Sequence, residues 1–130
     1  MRRPAVAIAL CACLAGGCGG DDAGESGRTE TFPAEEGRIR VVGREYRFDP
    51  AHVVLAGGPA QVNVALENRG SLAHNLKLFK DGREVAGTPT FEGGRTRTAW
   101  IKLELGSYRM VCTVGNHEEL GMVGTLEVEP

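Results

Sequence analysis

The chain has 130 residues, with 15 Lys+Arg against 17 Asp+Glu and a formal net charge of −2. That length admits one domain beside a leader segment and excludes two-domain and three-domain assemblies. No cluster of positive charge offers a nucleic-acid face or a polybasic membrane patch, so nucleic acid is not an expected partner.

Met1-Arg2-Arg3-Pro4 and the apolar run from Ala5 to Ala15 have the basic start and short hydrophobic centre of an export signal, too short for a permanent span. The protein is expected outside the cytoplasm. Leu14-Ala15-Gly16-Gly17-Cys18 resembles a bacterial lipobox, which implies a signal over residues 1–17 and lipid on Cys18. Ala15 departs from the usual Leu of that motif. Leu10-Cys11-Ala12-Cys13 competes but leaves an apolar centre below the usual minimum of about seven residues; plain secretion is the remaining alternative. With the signal removed, 13 basic residues face 17 acidic ones, a net charge near −4. Cys112 is then the one free thiol, and no internal disulfide is expected. Membrane contact would come from the lipid alone.

Residues 18–37 are rich in Gly, Asp, Glu, Ser and Thr and read as a lipidated start followed by a flexible tether. The domain is expected to span 38–130. Ile39 and Val41 alternate with Arg38 and Arg40 as in a half-buried strand, Asp49-Pro50 breaks it, and Val53-Val54-Leu55 begins another before the Gly57-Gly58-Pro59 turn. His52, in the lead-in, reads as a solvated histidine. Val62, Val64 and Leu66 oppose Gln61, Asn63 and Glu67 with the clearest period of two in the chain. After the Arg69-Gly70 turn, His74, Leu76 and Leu78 share one face. Asp81-Gly82 supplies a two-residue hairpin turn that needs positive φ at both positions. Residues 87–94 read as a loop.

Farther on, Ala99, Ile101 and Leu103 oppose Thr98, Trp100 and Lys102; Tyr108, Met110 and Cys112 face one side; Leu126 and Val128 alternate with Thr125, Glu127 and Glu129. No window shows a helical period. Seven or so short strands with regularly spaced turns predict an antiparallel β-sandwich.

The segment Cys112-Thr113-Val114-Gly115-Asn116-His117-Glu118-Glu119-Leu120-Gly121-Met122 spaces a thiol, an imidazole and a thioether as C-x4-H-x4-M. Sulfur donors stabilise Cu(I) and imidazole serves both oxidation states, so the set suits copper. Taken singly, each residue has an ordinary reading as core filler, strand-end or loop residue. Together with His74-Asn75 upstream, the segment resembles the type 1 (blue) copper proteins, the cupredoxins of the plastocyanin and azurin kind.

That resemblance covers about Arg38 to Pro130 and implies a Greek-key sandwich, with one copper ion held by His74, Cys112, His117 and, weakly, Met122. It also implies that Asn75 links the two ligand loops, its N–H towards the Cys112 sulfur and its side chain towards the Thr113 hydroxyl. Many relatives carry Pro-Gly before the loop histidine where this chain has Gly115-Asn116; Gly and Asn both tolerate the turn. The expected role is that of a monomeric, non-enzymatic one-electron carrier between redox protein partners. A copper-delivery or copper-resistance binder is the alternative, disfavoured by the lack of Met-rich or His-rich tracts. A zinc hydrolase using Glu118 or Glu119 as base would leave Met122 idle, and a dinuclear copper centre needs a second loop cysteine. Leu120 and Gly121 are expected in an apolar docking patch, with Glu118 and Glu119 as an acidic rim.

Overall fold

The computed structural model describes residues 27–130; the signal segment and Cys18 lie outside the described residues. Ten strands form two sheets: β1 (Thr29–Pro33), β2 (Arg38–Arg44), β3 (Arg47–Asp49), β4 (His52–Ala56), β5 (Ala60–Asn68), β6 (Lys77–Lys80), β7 (Arg83–Gly87), β8 (Arg95–Leu103), β9 (Gly106–Val111) and β10 (Val123–Glu129). One sheet runs β1-β4-β10-β9-β6-β7 and the other β3-β2-β5-β8. The inward residues of the period-two segments meet between them. Ile39 and Val41 from β2, Val62, Val64 and Leu66 from β5, and Leu126 and Val128 from β10 are all buried in one core.

Two expectations are corrected. The sheets are mixed, because β1 and β10 both pair in parallel with β4, and β2 pairs in parallel with β5. Parallel neighbours need a crossover between them, and the chain supplies it by leaving one sheet for the other, as between β4 and β5. Alternation reports which face is buried and is silent on strand direction. The folded domain also begins before Arg38. Residues 29–33, read as tether, form β1 along the open edge of β4, in register from Thr29 opposite His52 to Pro33 opposite Ala56. Backbone pairing holds this strand with little burial of its own side chains.

Local turn chemistry agrees with the strands it joins. Asp81 and Gly82 take φ of 50° and 76° between β6 and β7, the double positive φ of a tight hairpin. The Tyr108 hydroxyl accepts from the Glu104 N–H at 2.9 Å and donates to the Glu104 carbonyl at 3.1 Å, tying the β8–β9 turn to the core.

Three neighbouring strands, β10, β9 and β6, open at one end of the larger sheet. Val111, the last residue of β9, stands opposite both Val123 of β10 and Lys77 of β6. The next residue after β9 is Cys112, the residue before β10 is Met122, and His74 precedes β6 by three. The sheet thus delivers residues far apart in sequence to one spot.

Candidate metal centre

Each of the two segments at that end is held by its own backbone. The loop joining β9 to β10 closes where the Cys112 N–H donates to the Met122 carbonyl at 3.1 Å, and the Met122 N–H donates to the His117 carbonyl at 2.9 Å. Gly115 supplies its positive φ of 48°. The other segment runs from Asn68 to His74. Buried Asn68 donates to the carbonyls of Leu72 (2.9 Å) and Phe91 (3.2 Å) and accepts from the Gly70 N–H at 3.0 Å, so one side chain shapes the whole turn. His74 then makes a two-way backbone bridge with Phe91. Buried polar groups satisfied this completely leave the turn little freedom.

The structure brings His74, Cys112 and His117 together. Cys112 Sγ lies 3.9 Å from His74 Nδ1 and 3.6 Å from His117 Nδ1, and the two Nδ1 atoms are 3.2 Å apart. Donors bound at about 2.0 Å (nitrogen) and 2.3 Å (sulfur) to one borderline metal in a trigonal plane stand about 3.5–3.7 Å from each other. The observed triangle brackets those values, so the donor set fits a single ion. Cys112 and His74 are 0% exposed, and His117 keeps 7%. Of the three, His117 alone reaches the surface. Its ring meets the rings of Tyr46 and His74 edge-on, each at 5.0 Å between centroids.

Met122 is fully buried at the end of the same loop, with Gly43 of β2 close by: a Cβ at Gly43 would lie 3.3 Å from the Met122 methyl. Asn75 joins the two segments. Its amide donates to Thr113 Oγ1 and to Thr90 Oγ1, both at 2.9 Å, and its Oδ1 accepts from the Thr113 N–H at 2.9 Å.

Several contacts lie beyond what sequence reading reached. Thr90 is one, and buried Thr88, whose hydroxyl accepts from the Leu76 N–H at 3.0 Å, is another. Glu45, from the β2–β3 turn, accepts from His74 Nε2 at 3.1 Å and from the N–H groups of Ser71 (2.9 Å) and Leu72 (2.8 Å). Its carboxyl is held below its ordinary value, first by the Leu72 N–H, against the opposing effect of burial. Burial pushes the His74 imidazolium down, with Glu45 pulling the other way. No sequence signal marks Glu45, which looks like any turn carboxylate. His52 is also corrected: it is half-buried in β4, with Nδ1 2.9 Å from Thr125 Oγ1 on β10. Glu118 is ion-paired with Arg109 at 2.6 Å, so half of the expected acidic rim carries its own counter-charge.

Comparison with solved structures places this architecture. Auracyanin from Roseiflexus castenholzii superposes with a TM-score of 0.67 at 19% identity, covering 72% of this chain and 98% of its own. Auracyanin A, a "blue" copper protein from Chloroflexus aurantiacus, gives 0.64 at 22% identity over 75% and 99%. Rusticyanin gives 0.62 at 22% over 83% and 89%. The fold is a cupredoxin fold. No protein-family model and no curated relative matches the sequence. In this cupredoxin fold the His-Cys-His triangle occupies the end of the sandwich where the segments before β6 and between β9 and β10 meet.

Proposed function

We propose that the protein is an exported, lipid-anchored carrier of single electrons, with one copper ion held by His74, Cys112 and His117 and a weak fourth contact from Met122. The observation that carries the reading is the convergence of one thiol and two Nδ1 atoms at 3.2–3.9 Å from one another. Copper in such a soft and borderline donor set cycles between Cu(I) and Cu(II). The protein's part is to keep the donors still. Cys112 is fixed at the mouth of β9, His74 by the Phe91 bridge, and Asn75 ties one segment to the other. Little then has to move when an electron arrives. The small exposed part of His117 is the natural route in and out, and Leu120 on the same loop and Leu72 in the other segment are exposed apolar residues.

Four donors leave no position for a substrate, so the proposed role is non-enzymatic and its partners are redox proteins. The anchor rests on the Cys18 lipobox; among the described residues no helix is long and apolar enough to cross a membrane.

Adding Cu(II) to the full chain is the deciding experiment. An intense blue thiolate-to-copper band, bleached by one electron equivalent without release of metal and absent in Cys112→Ser, is expected. A colourless complex, or copper lost on each reduction, would reject electron carriage and favour copper delivery.

A further inference from the structure

One carboxylate oxygen gathers three donors at the back of His74. Glu45 Oε1 accepts from His74 Nε2–H, Ser71 N–H and Leu72 N–H at 3.1, 2.9 and 2.8 Å. The turn backbone passes directly over this carboxylate: a Cβ on Gly70 would stand 2.3 Å from the same Oε1. Glu45 is therefore gripped by the turn that carries His74, although 29 residues separate the two in sequence.

This contact fixes the state of the ring. With the Nε2 proton directed at Glu45, the neutral imidazole carries its lone pair on Nδ1, the atom that faces Cys112 Sγ and His117 Nδ1. A carboxylate behind a ligating histidine also raises the basicity of the ring and sets its orientation. The His74 side chain has no exposure and that of Glu45 has 29%, so the negative charge is only partly screened. Negative charge favours Cu(II), the more positive state, over Cu(I).

Resting on the copper reading above, we infer that Glu45 is a positioning residue that presents His74 Nδ1 to the metal and lowers the reduction potential of the site. A bland alternative is available, since Glu45 also braces residues 70–72. The two roles separate because glutamine keeps an acceptor oxygen for all three donors and removes the charge.

The test uses the full chain and two variants. In the copper-free wild type, imidazole nitrogen NMR is expected to show the His74 proton on Nε2; in Glu45→Ala the Nε2–H signal loses its strong hydrogen-bond shift. In the copper-loaded protein, Glu45→Gln is expected to keep the blue band while its Cu(II):Cu(I) ratio at a fixed solution potential falls about tenfold, equivalent to a rise of about 59 mV for one electron. Its Cu(II) affinity should fall about 10- to 100-fold. A Glu45→Gln ratio within twofold of wild type would overturn the inference and leave Glu45 as a brace. Should the wild type give no blue band, the copper reading fails by itself. The copper-free spectrum still decides the Glu45 contact, and a His74 proton on Nδ1 would overturn it.

Discussion

Single residues at the candidate metal centre divide by what they touch. Cys112 and the two histidines converge directly, whereas Met122 is tied to them through backbone bonds, its amide on the His117 carbonyl and its carbonyl on the Cys112 N–H. Those bonds survive a change of side chain. Met122→Leu is close to volume-conserving, so it should cost less than about 1.5 kcal/mol of stability. If Met122 would supply the weak fourth contact, this variant keeps copper and its potential rises, because a donor that would help stabilise Cu(II) has gone. Voltammetry beside a metal assay checks it. Complete loss of copper would instead make Met122 a core residue that supports the loop. The cluster of Cys112 with the two histidines was readable from the sequence because Cys112 and His117 fall on one short loop and the chain has only three histidines. Glu45, Thr90 and Asn68 were not, since each acts across a turn or between strands and no spacing links it to its partner.

At the scale of elements, ion pairs join the strands beside the turn that leads to His74. Glu67 on β5 pairs with Arg40 on β2 and with Arg69, the first residue past β5. The Arg69 hydrogen bond, then that of Arg40, pulls its carboxyl down to about 2. An unfolded glutamate titrates near about 4.3, so the folded value lies lower. The stabilisation is therefore fully present above about pH 4.3 and is lost as pH falls towards about 2. Glu67→Gln should lower the urea midpoint at neutral pH and flatten its decline between those values, with m unchanged. An identical acid profile in the variant would show that these pairs are screened to nothing.

The same scale separates what alternation can and cannot convey. β2, β5 and β10 bury every other residue against a shared core, β8 and β9 do so over part of their length, and period two reports such strands directly. β1 has no fully buried residue, and apart from half-buried Phe32 against the core it is defined by its pairing with β4. Strand direction, and hence the mixed sheets, depends on which neighbour each strand finds after crossing between layers. That information is tertiary.

For the whole molecule, the proposed electron transfer needs a point of contact at the surface. His117 is the only one of the three clustered donors with any exposure, which directs attention to the face that bears Leu120 and the adjoining charges. Glu118 is offset by Arg109, so reversing it would also set a lysine against an arginine and confuse the result. Glu119, exposed on the same loop, is the cleaner probe. Rim charges act on encounter rate and leave the metal's own properties nearly untouched. In the copper-loaded protein, Glu119→Lys should slow reduction by a small cationic redox complex severalfold at low salt. The difference should shrink as ionic strength approaches about 0.15 M, where the screening length is about 8 Å. A neutral complex should not distinguish the two proteins, and the potential of the variant should equal that of wild type. Equal rates with the cationic complex at low salt would mean that electrons enter through another face, leaving the copper assignment intact and removing the His117 edge as the docking point.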